Sequence, residues 1–229
     1  MKGFFYFNPN LINRKNSNMA HDDGSYHLEE RLNTISHGIG AVLGVIGFML
    51  LINADNHISA YSTQSIFIYS LCFIVLFVAS TLYHATTKNN LKKKFRVLDH
   101  ISIYFMIAGT YTPVALITLI DGNGWLIFYI VWGIAALGAV LKLFFTGRFE
   151  AISLVLYLAM GWLIVLDFSN LIDNTSTFGL QLLMAGGAFY TLGIVFYAWK
   201  RIPFNHFIWH LFVLGGAICH WLFIYYHVI

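Results

Sequence analysis

The sequence predicts an all-α membrane protein, a bundle of seven transmembrane helices with its N-terminus inside and its C-terminus outside. Three observations support this fold class: the composition, the apolar runs and the distribution of basic residues. Hydrophobic residues make up 59% of the 229-residue chain and charged residues 10%, whereas a soluble domain carries roughly 25% charged residues. Because so few charged side chains are available to cover a water-exposed surface, most of the outer surface is expected to face lipid.

Seven apolar runs follow one another along the chain, each long enough to cross the hydrocarbon core as a helix of about 20 residues. Only helices and closed barrels satisfy their own backbone in lipid, and these runs lack the alternating pattern of barrel strands. Short polar connections separate the runs, so consecutive helices are expected to be antiparallel neighbours. We therefore predict helices at about 35–54, 65–86, 98–120, 125–145, 151–170, 179–199 and 206–228.

The basic residues predict the orientation of the bundle. All 13 lysines and arginines precede the first run or lie at the 2–3, 4–5 and 6–7 connections, and the other connections carry none. Positive charge is retained in the cytoplasm during membrane insertion, so this side is predicted to be cytoplasmic. The N-terminus lies on the basic side and the C-terminus on the other side, so the chain must cross the membrane an odd number of times. This supports seven helices. The residues are Lys2, Arg14, Lys15, Arg31, Lys88, Lys92, Lys93, Lys94, Arg96, Lys142, Arg148, Lys200 and Arg201.

The chain is predicted to contain one membrane domain, residues 29–229, preceded by a polar cytoplasmic extension, residues 1–28. An aromatic patch at 3–7 is too short for the apolar region of a signal peptide and lacks a small-residue cleavage site. Translation could start at Met1 or at Met19. The two cysteines, Cys72 and Cys219, lie in apolar runs without a C-x-x-C pair, so we interpret them as small core residues rather than thiolate ligands.

Ionisable side chains within the predicted spans are the strongest functional signal, because they are costly in lipid. His84 lies near the end of the second run, Asp99 at the start of the third, and His206 and His210 open the seventh. Antiparallel threading brings these four residues to one layer near the predicted cytoplasmic face. The H-x-x-x-H spacing places two imidazoles one turn apart on one helix face, the arrangement by which a helix supplies two ligands to zinc.

A third ligand from His84 would leave the fourth tetrahedral position open for water, which is typical of catalytic zinc. Asp99 could then hydrogen-bond that water as a general base or orienting group. Ser80, one turn before His84, could support the site or contact the substrate. Each residue also has an ordinary interpretation: histidines anchor helices at interfaces, H-x-x-x-H arises by chance among ten histidines, and serine hydroxyls bond to their own helix.

The remaining polar residues near the spans receive structural predictions. His37, His100 and His220 are expected to pack between helices or to line a pocket. His100 points about 100° away from Asp99 around the helix, and His220 lies too far toward the outer face to join the same metal. Glu29 and Glu30 are expected to cap the first helix or to form surface ion pairs.

The sequence also resembles the bacterial hemolysin III proteins, which belong with the progestin and adiponectin receptors and, with the alkaline ceramidases, form a wider set of membrane hydrolases. The resemblance runs from about residue 29 to the C-terminus. It implies zinc bound by His84, His206 and His210, with Asp99 on the zinc-bound water and Ser80 beside the site. The segments that carry it are EERLNTISHGIG (29–40), STLYH (80–84), LDHISIY (98–104), GTYTP (109–113) and HFIWH (206–210).

Three functions remain open at this stage. The first is a zinc-dependent hydrolase that acts on a lipid amide or ester at the cytoplasmic side, and the second is a non-enzymatic lipid sensor with a structural zinc. The third is the cytolytic activity that the family name suggests, although a pore needs polar residues along its whole length and here they collect on one side. We expect Zn²⁺ as cofactor, membrane lipids as partners, no nucleic acid partner, and a location in a bacterial plasma membrane.

Overall fold

Seven helices long and apolar enough to cross a membrane make up the described part of the chain. The computed structural model describes the backbone of residues 9–229 and the side chains from residue 24 onward; it is 85% helical, with no strand in this part. The predicted seven-helix, all-α fold is therefore confirmed. The helices are α1 (Pro9–Ala54), α2 (Ser62–Ala85), α3 (Asn89–Thr118), α4 (Gly124–Phe145), α5 (Glu150–Asp173), α6 (Thr177–Ala198) and α7 (Asn205–His227).

Helix boundaries agree with the apolar runs except where a helix extends beyond the membrane. Five helices begin and end within three residues of the prediction, whereas α3 begins at Asn89 and α1 at Pro9. Hydropathy marks only the lipid-facing part, while the backbone hydrogen bonds of these two helices continue through polar residues. Residues 9–28 of the predicted polar extension therefore belong to α1. Residues 1–8 lie outside the described part of the chain.

The helices surround a central space. α1 packs between α2 and α7, α3 packs against α2, α4 and α5, and α6 packs against α7 and more loosely against α5. α7 faces α2 and α3 across this space rather than packing along them. Side chains that project inward from these three helices therefore meet in the interior. We call the end formed by the α2–α3, α4–α5 and α6–α7 connections the basic end, because lysines and arginines lie there.

A close helix contact fixes α2 against α3, the two helices that carry His84 and Asp99. A Cβ atom added at Gly109 on α3 would lie 2.7 Å from the Cβ atom of Cys72 on α2, closer than packed atoms approach. Cys72 is buried at this contact, as predicted for a small core residue. The surrounding core contains large aromatic side chains that are almost fully buried, among them Tyr69, Phe73, Phe77 and Tyr104.

α5 is interrupted within the membrane, and a side chain of α3 forms hydrogen bonds with the backbone at the interruption. After Gly161 the helix continues as a tighter 3₁₀ segment at Leu163–Asp167. The Tyr111 hydroxyl on α3 donates to the Gly161 carbonyl at 2.8 Å and accepts from the Ile164 N–H at 3.0 Å. Backbone groups freed at membrane depth need such partners, because lipid offers none. The interruption lies where α5 borders the central space.

Candidate metal centre

Three histidines from two helices converge at the basic end. His84 lies in the last turn of α2, while His206 and His210 lie one turn apart at the start of α7. One ligand atom from each imidazole lies within 4.8 Å of the other two, and the ring centroids are 4.6–5.1 Å apart. His84 and His210 are buried and His206 is half-buried. The structure thus brings the three residues predicted as ligands close enough to bind one metal ion.

The hydrogen bonding of these imidazoles fits a metal. His84 Nδ1 lies 2.9 Å from a carboxylate oxygen of Glu30, and since a carboxylate only accepts, Nδ1 carries the proton. The lone pair is then on Nε2, which is buried and has no hydrogen-bond partner among the described residues. His210 Nδ1 is also buried and has no hydrogen-bond partner among these residues. Buried polar atoms are rarely left without a partner, and three imidazoles form a donor set that suits zinc.

Glu30 supports this site, contrary to the prediction that it caps α1 or forms a surface pair. α1 begins well before it, so Glu30 lies inside the helix, and its side chain is only 16% exposed. One carboxylate oxygen accepts from His84 and the other pairs with Lys92. A carboxylate that binds the second nitrogen of a ligating histidine fixes the tautomer and the orientation of the ring.

Glu29 caps a helix, but it caps α7 rather than α1. Its carboxylate accepts from the backbone N–H groups of His206 and Phe207 at 3.1 and 3.4 Å. The first N–H groups of a helix lack partners within that helix, and an acidic side chain there satisfies them. Glu29 therefore attaches the start of α7 to α1, next to the histidine cluster.

Asp99 and Ser80, the predicted catalytic residues, lie beside the histidines. Both are buried, and both line one cavity together with His206 and His210. The Ser80 hydroxyl is buried next to the Asp99 carboxylate. A carboxylate and a hydroxyl thus accompany three imidazoles within one buried region at the basic end.

The cavity extends from this region toward the opposite end of the bundle, between α3, α5, α6 and α7. It is partly open to its surroundings. Its residues on α3 run from Asp99 to Val114, which corresponds to roughly 22 Å along a helix. The walls beyond the polar end are mostly apolar, including Met106, Leu158 and Trp162. A long apolar cavity with polar groups at one end suits a lipid chain.

His37, His100 and His220 all line this cavity, in agreement with the pocket-lining role predicted for them. His37 stacks on His210 at 3.6 Å between ring centroids, and both its nitrogens are buried without a hydrogen-bond partner in the described region. His100 faces Glu150 rather than the histidine cluster. His220 Nε2 lies 3.3 Å from the Leu183 carbonyl, near the opposite end.

A polar stripe on α1 also contributes to the histidine cluster, which the sequence-based predictions above do not include. Glu30, Asn33 and His37 are spaced by three and four residues, so they share one face of a helix. In the structure this face meets the cluster: Asn33 Nδ2 lies 3.5 Å from His84 Nδ1, and Glu30 and His37 contact His84 and His210. The pattern could have been recognised as a polar stripe on the first span.

Comparison with known proteins agrees with these observations. A family model described as haemolysin-III related matches residues 25–221. Hemolysin-3 from Bacillus cereus is 43% identical over 190 residues, covering 82% of this chain and 87% of the relative. The Hemolysin-3 homolog from Bacillus subtilis (strain 168) is also 43% identical, covering 82% of this chain and 89% of the relative.

A mammalian protein extends the similarity to the wider superfamily. Monocyte to macrophage differentiation factor from Homo sapiens is 30% identical over 199 residues, covering 84% of this chain and 82% of its own. Residues 25–221, which the family model matches, include the histidine cluster and at least part of each of the seven helices. This chain is therefore an integral membrane protein that belongs to the haemolysin-III related family.

Proposed function

We propose that this protein is a zinc-dependent membrane hydrolase that cleaves a lipid amide or ester at the basic end of the bundle, which we infer faces the cytoplasm of a bacterial plasma membrane. One observation carries the proposal. Three convergent imidazoles, a buried carboxylate and a buried hydroxyl stand at the polar end of a long apolar cavity. A lipid chain in that cavity would bring its first polar linkage next to these groups.

The side chains have complementary roles in such a reaction. His84, His206 and His210 would hold the zinc, which when bound polarises a carbonyl and lowers the pKa of water to about 7. Asp99 would orient the attacking water, accept its proton and return that proton to the leaving group. Ser80 would hold Asp99 in place or donate a hydrogen bond to the carbonyl oxygen. Glu30 would keep the His84 proton on Nδ1.

The substrate would enter from the lipid rather than from water. α5 and α6 contact each other sparsely, and both expose most of their surface at membrane depth. The cavity lies behind them and is partly open. A lipid would therefore approach laterally without leaving the bilayer.

Two other functions are distinguished by specific features. A purely structural zinc would need a fourth protein ligand, and among the described residues the convergent group contains only His84, His206 and His210. Cytolysis is suggested by the name of the Bacillus cereus relative. A lytic protein would act on a target membrane without any need for Asp99.

The first test is metal content, measured by mass spectrometry on detergent-purified protein without chelator. We expect about one zinc per chain in the wild type and none in a folded His206→Ala/His210→Ala variant. His57→Ala is the matched control, because His57 is 75% exposed at the opposite end, and it should retain zinc. A well-folded wild type without metal would refute the hydrolase proposal.

The second test is turnover of membrane lipids. Zinc-loaded protein is incubated with lipid extract and released fatty acids are measured by mass spectrometry. Asp99→Asn should retain zinc but lose at least about 100-fold in rate, the size expected for a general base. Full metal occupancy without release of any fatty acid would instead favour the sensor, and erythrocyte lysis that persists in Asp99→Asn would favour cytolysis.

A further inference from the structure

A second polar cluster borders the same cavity and has no part in the metal centre. Glu150 begins α5, His100 lies on α3 and Lys142 near the end of α4. Lys142 Nζ lies 2.9 Å from one carboxylate oxygen of Glu150, and His100 Nδ1 lies 3.7 Å from the other. The Lys142 side chain is only 2% exposed. A buried ammonium within a membrane helix is costly and is a functional signal by default.

The connection before α5 holds Glu150 in place by a strained backbone. Phe149 adopts a left-handed conformation with φ of 56°, and Gly147 has φ of 84°. A bulky residue at positive φ is an outlier that persists only when its surroundings impose it. The Gly147 N–H donates to Glu150 at 3.2 Å. This folded-back connection, together with Lys142, sets the position of the Glu150 carboxylate at the cavity wall.

His100 is available to a ligand. Its Nδ1 atom is buried and has no hydrogen-bond partner in the described part of the chain, and 3.7 Å to Glu150 is too long for a hydrogen bond. Both side chains line the cavity that also contains Asp99 and His206. A small polar group of a bound molecule could therefore contact the carboxylate and the imidazole while its chain occupies the apolar part.

The charge balance indicates which polar group fits. The charge of Glu150 is offset by Lys142, so a cationic group would gain little there, and a phosphate would meet the carboxylate. Arg96 is near but solvent-exposed, so its charge is screened. An uncharged hydroxyl uses both partners, because it donates to a carboxylate oxygen and accepts from an imidazole N–H.

We propose that His100 and Glu150 form a head-group subsite that binds an uncharged, hydroxyl-bearing lipid head. The acyl chain would lie in the apolar cavity, with the linkage next to the head group directed toward the histidine cluster. The identity of the cleaved linkage rests on the proposed function, whereas the binding of the head group does not require metal. The subsite therefore narrows the substrate class to neutral hydroxylated lipids.

The test measures binding of 1-monooleoylglycerol to detergent-purified full-length protein by native mass spectrometry. Methyl oleate lacks the hydroxyls, oleoyl lysophosphatidate adds a phosphate and oleylamine carries an ammonium. We expect the monooleoylglycerol to bind at least about tenfold more tightly than each of the others, as for a hydrogen bond to a charged group. The same preference is expected in the His206→Ala/His210→Ala variant, which separates this result from the metal proposal.

Variants at the subsite should remove the preference and leave the binding of methyl oleate unchanged. His100→Phe and Glu150→Gln are the direct changes. Because Glu150→Gln leaves Lys142 buried without its partner and could impair folding, the double variant Lys142→Met/Glu150→Met removes both charges together. Thr110→Val is the control, since Thr110 lines the cavity elsewhere and bonds to the Met106 carbonyl; it should retain the preference.

The outcomes separate the two proposals. Equal binding of monooleoylglycerol and methyl oleate to the wild type, tighter binding of the phosphate or the amine, or an unchanged preference in folded His100→Phe would overturn the subsite. A preference that is lost in His100→Phe but kept in metal-free protein would support it, even if no zinc were found in the wild type.

Discussion

At the scale of single residues, a carboxylate outside the three convergent histidines contacts one of them at the candidate metal centre. Glu30 accepts from His84 Nδ1 at 2.9 Å and also pairs with Lys92. This contact determines which imidazole nitrogen carries the lone pair. We therefore expect Glu30 to position His84 as a ligand rather than to bind substrate.

Glu30→Gln tests this positioning role. An amide can present its NH₂ group to Nδ1 and so favour the wrong tautomer of His84, and loss of such a contact typically costs 10–100-fold in metal affinity. We expect a decrease of about that size in zinc affinity, measured by competition with a chromophoric chelator.

Lys92→Met separates the contact with His84 from the ion pair. Lys92 contacts Glu30 but is not one of the three convergent residues, so its loss should reduce zinc affinity far less. If Glu30→Gln bound zinc like the wild type, Glu30 would not determine the tautomer of His84.

At the scale of elements, the interruption of α5 depends on one hydroxyl of α3. The Tyr111 hydroxyl bonds to both the Gly161 carbonyl and the Ile164 N–H. Tyr111→Phe leaves two backbone groups without partners at membrane depth, which costs about 1–3 kcal/mol for each in a buried site. We expect a lower midpoint of thermal unfolding in detergent.

Tyr69→Phe is the matched control for that variant. Tyr69 is fully buried, and its hydroxyl has no hydrogen-bond partner among the described residues. Its removal is expected to leave the unfolding midpoint unchanged or slightly raised. Equal midpoints for the two variants would show that α5 does not depend on Tyr111.

The contact between α2 and α3 gives a second prediction at this scale. A Cβ atom at Gly109 would meet the Cys72 side chain at 2.7 Å, and overpacking of this kind typically costs about 1–3 kcal/mol. Gly109→Ala should therefore lower the unfolding midpoint. Adding Cys72→Gly to the same chain should recover part of the loss, and a double variant no more stable than Gly109→Ala would contradict this explanation.

At the scale of the whole molecule, the orientation in the membrane remains a prediction from charge. All basic residues lie on one side of the seven helices, so the α2–α3 connection should face the cytoplasm and the α3–α4 connection the outside. In a chain with Cys72 and Cys219 replaced by alanine, an impermeant thiol reagent should label Asp121→Cys in intact cells. Asn90→Cys should react only after permeabilisation, and the reverse pattern would invert the bundle.

Much of this architecture could be predicted from composition, because lipid imposes a simple rule on the chain. A span must be apolar, about 20 residues long and helical, so hydropathy alone located seven helices and the boundaries of five. The same rule makes ionisable residues inside a span conspicuous, and His84, Asp99, His206 and His210 were found in this way. The starts of α1 and α3 were not found, because these helices begin in polar segments that hydropathy does not mark as helical.

The sequence by itself therefore determined the number of helices, their order and the layer in which the candidate ligands lie, since these follow from local hydropathy and alternating direction. Only the tertiary structure decided which faces meet. The contact of Glu30 with His84, the capping of α7 by Glu29 and the proximity of His100 to Glu150 join residues 50 to 177 positions apart. Such contacts depend on the rotation and packing of whole helices around the central space, which no local pattern specifies.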